Sequence, residues 1–466
     1  MRTLFVSLLI STAALAEEAP AVPVTPAVPV APAPAPGLDL LNGRFEFGSY
    51  GRVGIGSDLA GQVGRSTNIV SHGPRLIEDS YAELELRRED TFGQVKSRVV
   101  STVAFFPPFF HFNAQSAQSI AVRNLYAEAS VGEVFSAWAG SRMYRGDDIY
   151  LLNFWPLDDL NTIGGGVGLG FGKTTLRFHV GMQRLDLPST RQVVANNNPV
   201  GFGAISVTRL DRPRLIESLK LTHEFDGPAG IGVRLSLYAE GHQLPAGVRR
   251  SLATGDEQTL PGDWGVLFGG QATVWREKHF AHVWARQTMG LATTDELTMP
   301  TTFNNQLTTV GARSTRVALA GGWDTTHLGL QLGGYLDLVR DAAVSETSAG
   351  KYDEGAVSAR LQWYAAKYFG VAVEASMQRR VYALVDEAGA LRGGSVTQLG
   401  VMPYFSPFGH GNFQRPQLRL IYALSLRDAG ARSFYGVDDP FSRRGVEHFV
   451  GLSVEWWFNA TTYPSR

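Results

Sequence analysis

The sequence predicts an all-β fold, an antiparallel β-barrel whose strands cross a membrane, on three observations. Apolar and polar residues alternate with a period of two along much of the chain, which is the period of side chains on a β-strand. The composition combines 52 glycines and 11% aromatic residues with only 18% charged residues and no cysteine, as is typical of β structure with many turns. Beyond the first residues there is no run of about 18 apolar residues, so we expect no transmembrane helix.

The first residues predict export from the cytoplasm. Residues 1–16 begin with a positive charge at Arg2, continue through an apolar stretch from Leu4 to Ile10, and end on the small-residue site Ala14-Leu15-Ala16. These are the three parts of a secretory signal peptide, and the apolar stretch is too short to span a bilayer.

A spacer, a barrel and a tail are expected after the signal peptide. Residues 17–42 open with a run of Pro, Ala and Val, which neither a helix nor a sheet tolerates, so we interpret them as a semi-rigid periplasmic spacer. We expect the barrel to cover residues 43–458 and a short C-terminal tail to cover residues 459–466.

The alternation is clearest in five segments. Residues 233–240, VRLSLYAE, place apolar side chains at odd positions and polar ones at even positions, and the pattern recurs at 328–338, 357–364, 418–426 and 450–456. Each segment therefore has one apolar and one polar face.

Such faces fit either a soluble sandwich or a membrane barrel. The polar faces carry Tyr, Arg, Gln and Glu rather than Ser and Thr, and aromatic residues lie near strand ends, at Trp323, Trp363, Trp456 and Phe458. Both features favour a barrel with an aqueous lumen and aromatic girdles. At about 20–26 residues for a strand and its connection, the chain after the spacer provides about 16–20 strands.

No set of residues points to catalysis, a metal or a cofactor. The formal net charge of −1 gives no electrostatic reason to expect a nucleic-acid partner. The ten histidines lack metal-ligand spacing, and a chain without cysteine has no disulfide or thiolate site. Gly172-Lys173-Thr174 lacks the glycine and the strand-to-helix setting of a phosphate-binding loop.

Two acidic sets have simpler readings than a site. Glu83 and Glu85 lie two apart on one strand, with nothing to divide them into the acid and base of a glycosidase. Asp147-Asp148 and Asp158-Asp159 fit a solvated loop edge better than a Ca²⁺ site. We therefore expect a protein that is not an enzyme.

Four stretches and the C-terminal strand resemble the maltoporin family of sugar-specific outer-membrane porins. They are listed here by residue range: FEFGSYGRVGIG at 45–56, YAEL at 81–84, WAGSRMY at 138–144 followed by Asp147-Asp148, GVGLGFGK at 166–173, and VEWWF at 454–458. The resemblance is close over residues 45–175 and at the C-terminus, and between 176 and 400 only the pattern of alternation continues it.

The resemblance implies an 18-stranded barrel that forms homotrimers in outer-membrane lipid and passes carbohydrate solutes. Each pore of the family has a lengthwise strip of aromatic rings beside polar and charged groups. The apolar C–H faces of a sugar lie flat on such rings, while its hydroxyls need donors and acceptors.

Carried over onto this chain, the aromatic strip comprises Tyr50, Tyr81, Phe280, Phe413 and Trp457. The polar positions that match the family are Arg52, Arg75, Glu83, Arg123 and Asp148. Alternation agrees with the strip, because Tyr50 shares a strand face with Arg52 and Trp457 shares one with Glu455.

Two loops of the family also have counterparts in this sequence. An inward-folded constriction loop is expected from Arg142 to Asp158, with Trp155 at its tip and with Asn153 and Gly146 where the family carries Asp and Arg. The stretch from Phe105 to Phe112 corresponds to a loop that sends an aromatic residue into a neighbouring subunit's pore.

Three alternatives remain open at this point. The substitutions at Trp155, Asn153 and Gly146 are compatible with a general or anion-preferring porin on the same scaffold. A secreted β-rich carbohydrate-binding protein or hydrolase would use the same alternation with a dry core. A structural protein could tether membrane to cell wall through residues 17–36.

Overall fold

The structure, a computed structural model, describes residues 38–40, 43–106, 119–184, 192–195, 204–207, 212–250, 256–293, 303–385 and 389–461. Eighteen of the nineteen strands of the main sheet form the barrel. The first nine are β1 (Gly43–Ser57), β2 (Tyr81–Phe92), β3 (Val95–Phe106), β4 (Ser119–Val131), β5 (Phe135–Arg145), β6 (Asp159–Phe171), β7 (Thr174–Gln183), β8 (Arg214–Asp226) and β9 (Gly232–Leu244). The second nine are β10 (Asp263–Arg276), β11 (His279–Gly290), β12 (Arg313–Asp324), β13 (Leu328–Arg340), β14 (Ser348–Trp363), β15 (Phe369–Val385), β16 (Leu391–Phe405), β17 (Gln417–Arg427) and β18 (Val446–Phe458).

The sheet closes on itself. Each strand pairs antiparallel with the next along the chain. β1 also pairs with β18, in a register that sets Tyr50 opposite Trp457 and Arg52 opposite Glu455. The fold is therefore a closed 18-stranded antiparallel barrel, and the predicted fold class is confirmed.

A few short elements accompany the barrel. The strand Leu38–Leu40 pairs with the start of β1. Two small hairpins, Gln192–Ala195 with Ala204–Val207 and Gly247–Arg250 with Glu257–Leu260, lie in long connections. Two one-turn helices, Ala429–Arg432 and Pro440–Arg443, lie between β17 and β18, and each begins at an aspartate that accepts a backbone N–H. The described residues include no helix long and apolar enough to span a membrane.

The two faces of the wall are the reverse of those of a soluble protein. Large apolar side chains point outward and stay exposed, among them Leu332 at 42% and Leu420 at 48%. Charged and amide side chains point inward and are buried, among them Glu374, Gln378 and Arg360. An apolar outer surface and a polar interior are the arrangement of a barrel surrounded by lipid.

The connections alternate in length around the barrel. Turns such as 93–94, 172–173 and 277–278 join strands at one end, whereas connections such as 58–80 and 291–312 join them at the other. Barrels of outer membranes have short turns on the periplasmic side and long loops outside. We call the two ends the short-turn end and the long-loop end.

A charge on the outer face is expected to block membrane folding. Leu332→Arg should cost about 2–4 kcal/mol of folding free energy in lipid, because the guanidinium would enter hydrocarbon. The measurement is urea-dependent folding into phospholipid vesicles. Thr222→Arg, on the inner face of β8 at a half-buried position, is the control and should cost less. Equal costs for the two variants would contradict the assignment of the faces.

Candidate functional site

Three connections fold into the lumen. Residues 58–80 and 146–158 enter from the long-loop end, and residues 406–416 enter from the short-turn end. Leu76 and Ile77 of the first segment pack on apolar inner-wall residues of β16, β17 and β18, namely Met402, Ile421 and Phe449. Burial of these apolar side chains stabilises the position of residues 58–80 against the inner wall.

The segment 146–158 is the inward loop that the sequence predicted at 142–158. A 3-10 turn, Tyr150–Leu152, forms its tip, and Asn153 ends that turn in the left-handed conformation with φ 49° and ψ 50°. The backbone N–H of Ile149 donates to the carbonyl of Phe154 at 2.7 Å, which closes the loop. Asn153 is suited to this position because Asn tolerates left-handed backbone better than most residues.

The three inward segments meet at one carboxylate. Glu455, on the inner face of β18 and 2% exposed, accepts from Arg75 at 3.1 Å, from Arg415 at 2.8 Å and from Arg419 at 2.6 Å. The hydroxyl of Tyr150 donates to the same carboxylate at 2.6 Å. Glu455 therefore joins all three segments to the wall, and charge-assisted bonds of this kind are the stronger class.

A continuous row of aromatic rings follows the inner wall and the inward segments. We call it the aromatic file, and its members in order are Phe106, Tyr81, Tyr50, Trp457, Tyr150, Phe413 and Phe280. Ring centroids are 5.4 Å apart for Phe106 and Tyr81, 5.9 Å for Tyr81 and Tyr50, 6.0 Å for Trp457 and Tyr150, 5.5 Å for Tyr150 and Phe413, and 6.1 Å for Phe413 and Phe280. Trp457 packs against the cluster of Tyr50 and Tyr81.

Charged groups lie along one side of the aromatic file. Arg52 and Arg75 donate to the hydroxyl of Tyr50 at 3.0 and 2.9 Å. Glu83 accepts from Arg123 at 2.6 Å, and both contact the hydroxyl of Tyr81. The rings thus lie next to fixed donors and acceptors, the combination that a hydroxylated ring compound needs.

A small space lies at the inward loop. Asp148, Tyr150, Phe280, Gln331 and Phe413 line a space of about 10 Å³. That volume is close to what one water molecule occupies. A wider cavity of about 640 Å³ lies between residues 63–80 and the inner wall, and Arg52, Arg75 and Arg419 are among its lining residues.

The structure brings together ten of the twelve residues that the sequence singled out. The five aromatic residues lie in the aromatic file, and Arg52, Arg75, Glu83, Arg123 and Asp148 lie beside it. Asn153 shapes the turn that carries Tyr150. Trp155 lies elsewhere, with the guanidinium carbon of Arg145 3.9 Å from its ring centroid, and it is 7% exposed.

Sequence reasoning missed Tyr150, Arg415, Arg419 and Glu455. Arg419 and Glu455 lie on strands, where alternation marks them as inward but does not separate them from other inward residues. Tyr150 and Arg415 lie in connections, where no period indicates direction. Phe105 and Phe106 end β3, and the rest of the stretch to Phe112 lies outside the described residues.

The acidic residues that the sequence analysis considered as sites form ion pairs and hydrogen bonds within the wall and its connections. Glu83 faces Arg123, and Glu85 accepts from Thr102 at 2.8 Å. Asp147 pairs with Arg234, and Asp158 pairs with Lys220 at 2.6 Å. The described part of the chain contains no group of three or more His, Asp or Glu that could hold a metal ion.

The family comparison decides the class of the protein. A model of the family described as LamB porin matches residues 45–458, which run from β1 to the last residue of β18. The chain belongs to the LamB porin family. This is the maltoporin family that the sequence resembles, and the protein is an outer-membrane porin, a channel.

Several solved structures are similar to this LamB porin family member. The outer membrane channel DcaP of Acinetobacter baumannii is 11% identical, with 91% of this chain and 100% of that chain covered and a TM-score of 0.45. OccD3 (OpdP) of Pseudomonas aeruginosa is 10% identical, with 92% and 95% covered and a TM-score of 0.44. OmpT of Vibrio cholerae, in its trimer form, is 10% identical, with 89% and 99% covered and a TM-score of 0.37. No curated protein matches the chain.

Proposed function

We propose that this porin passes sugars selectively, by passive diffusion along the aromatic file. The observation that carries the proposal is the unbroken row of seven rings with Arg52, Arg75, Glu83 and Arg123 beside it. Staggered rings offer a sugar a series of similar weak sites, and conduction requires binding that is strong enough to enter yet weak enough to leave. No covalent chemistry and no cofactor are involved.

A ring of the file should bind sugar, whereas a lipid-facing ring should not. Tyr50→Ala should weaken the block of ion current by maltotriose about tenfold, the effect of losing roughly 1.4 kcal/mol from stacking and from the hydroxyl. The conductance for small ions should change less, because ions do not stack on the ring. The measurements are single-channel current with added maltotriose and liposome swelling with a panel of sugars.

Tyr422→Ala is the matched control, because Tyr422 faces outward on β17 and is exposed. It should leave sugar block and ion conductance as in the parent protein. If none of the sugars in the panel blocks the parent channel, or if Tyr50→Ala reduces ion and sugar flux equally, the sugar proposal is wrong.

An anion-preferring porin is the second candidate. It is favoured by the meeting of Arg75, Arg415 and Arg419 on the single carboxylate of Glu455. An excess of fixed positive charge at a narrowing concentrates anions. A reversal potential that favours chloride, together with no block by any sugar, would select this function.

We also propose the assembly and organisation that the sequence predicted. The porin forms a homotrimer with carbohydrate solutes and outer-membrane lipid as its partners. It is exported by residues 1–16, carries a periplasmic spacer at 17–42 and a barrel at 43–458, and ends in a tail at 459–466. Extraction only with detergent, and a trimer mass in that detergent, are the expected results. A protein that stays soluble without detergent would instead be the secreted alternative.

A further inference from the structure

The chain does not leave the barrel wall at the end of β18 but turns into the lumen. Asn459 follows Phe458 with a positive φ of 48°, which ends the extended backbone of β18. Ala460 is buried, with 2% of its surface exposed. Residues 459–461, which we call the terminal hook, therefore lie inside the short-turn end of the pore.

Glu85 on β2 holds the terminal hook. The backbone N–H of Thr461 donates to both carboxylate oxygens of Glu85, at 3.1 and 3.2 Å, and the hydroxyl of Thr461 donates to one of them at 2.5 Å. Glu85 also accepts from the hydroxyl of Thr102 at 2.8 Å, and Asn124 donates to that hydroxyl at 2.9 Å. Glu85, Thr102 and Asn124 are all buried on the inner wall.

The wall has room for the hook because of a glycine. A side chain at Gly48 of β1 would begin 2.4 Å from the carbonyl oxygen of Asn459 and 3.1 Å from the nitrogen of Ala460. The amide of Asn459 in turn donates to the carbonyl of Phe47 at 3.4 Å. The close approach of the two backbones requires that position 48 carry no Cβ.

Glu85 continues the inner-wall face that carries part of the aromatic file. Tyr81, Glu83 and Glu85 alternate inward along β2, and β2 runs from the long-loop end to the short-turn end. Glu85 is the next inward side chain of β2 after Glu83, on the side toward the short-turn end, and so lies beside the first rings of the aromatic file. The hook occupies that place.

The donors that the hook presents have the chemistry of a sugar. Thr461 offers one N–H and one O–H, close together, to a single carboxylate. Neighbouring hydroxyls of a pyranose offer two O–H donors to a carboxylate in the same way. Hydrogen bonds to an ionised acceptor are worth more than neutral ones, so a carboxylate that receives two of them is a strong site.

We propose that Glu85, Thr102 and Asn124 form a sugar-binding subsite on the inner wall beside the aromatic file, on the short-turn side of Tyr81, and that Thr461 occupies it as an internal competitor. The inference rests on the proposed sugar function. A sugar on the rings of Tyr81 and Tyr50 displaces Thr461 from Glu85, and the hook returns after the sugar departs. The hook thereby limits how long a sugar stays at this subsite, since both compete for one carboxylate.

Weakening the hook should strengthen sugar binding. Thr461→Val removes one donor and should raise the binding constant of maltotriose, measured by current block with sugar added to each side in turn, about threefold. Ending the chain at Phe458 removes the competitor, and we expect a rise of about tenfold. Adding Glu85→Ala to the shortened chain should abolish the rise, because the subsite itself is lost.

Thr91→Val is the matched control, because Thr91 is an exposed residue near the short-turn end of β2. It should leave the binding constant unchanged. Unchanged sugar block in both Thr461→Val and the shortened chain, while Tyr50→Ala still weakens block, would overturn the subsite and leave the sugar function standing. A larger ion conductance without tighter sugar binding would also overturn it, because the hook would then be only an obstruction. If no sugar blocks the current of the parent channel, the proposed sugar function itself is wrong.

Discussion

Glu455→Gln is expected to loosen the constriction and to destabilise the barrel together. The substitution leaves Arg75, Arg415 and Arg419 around a neutral amide, in a place where Glu455 is 2% exposed. Removing one partner from a buried ionic cluster costs about 3–5 kcal/mol, because the remaining charges stay desolvated and repel one another. The free energy of unfolding in lipid vesicles measures this loss.

The same substitution should change the current through the pore. The inward loop is held at its tip by the hydroxyl of Tyr150, and residues 58–80 and 406–416 are held by Arg75 and Arg415. With the shared carboxylate gone, we expect a higher single-channel conductance and larger current fluctuations, because all three segments gain freedom.

Glu447→Gln provides the matched control for both measurements. Glu447 is another buried glutamate of the inner face of β18, and it pairs with Arg427 at 3.2 Å and with Arg444 at 3.5 Å. It should lower stability without raising conductance, because Arg444 contacts the segment 58–80 only at its first residue, Asp58, away from the residues that Glu455 joins. If Glu455→Gln and Glu447→Gln conduct alike, Glu455 does not hold the constriction.

Tyr150→Ala is expected to interrupt sugar passage, whereas Trp155→Ala is not. Tyr150 lies between Trp457 and Phe413 in the aromatic file, 6.0 and 5.5 Å from their ring centroids. Losing this ring should slow maltotriose flux about tenfold, since the sugar must cross a gap without a stacking partner. Liposome swelling rates for maltotriose, relative to those for a small ion, give the measurement.

Trp155 provides the internal comparison, because it belongs to the same loop and is also buried. Its ring lies under Arg145, outside the aromatic file. Trp155→Ala should therefore change maltotriose flux less than twofold, because the cation–π contact that it removes lies away from the binding rings. A larger loss of flux in Trp155→Ala than in Tyr150→Ala would favour the tip position that the sequence suggested.

The wall of this porin could be predicted from the sequence because strands have a fixed period. Tyr50, Tyr81 and Trp457 are inward in the structure, and Leu332 and Leu420 are outward, as alternation requires. A shift of one residue would turn every side chain of a strand to the other face, so the pattern leaves little freedom.

The inward segments could not be predicted in the same way. A connection has no period, so nothing in the sequence shows that Tyr150 rather than Trp155 reaches the aromatic file. Glu455 gains its role from Arg75 and Tyr150, which are 380 and 305 residues away in the chain. The terminal hook likewise depends on Glu85, 376 residues from Thr461. Contacts at such separations follow from the closed barrel, which brings distant connections into one lumen.

The pairing of β1 with β18 has a consequence for biogenesis. The bonds that seal the cylinder join Ser49 to Phe458 and Ser57 to Val450, the first and last parts of the barrel chain. The seam therefore forms only once the whole polypeptide is present, and until then two strand edges offer unpaired backbone groups to any neighbouring chain. Folding of this chain thus requires that the two edges stay apart from other chains until β18 meets β1.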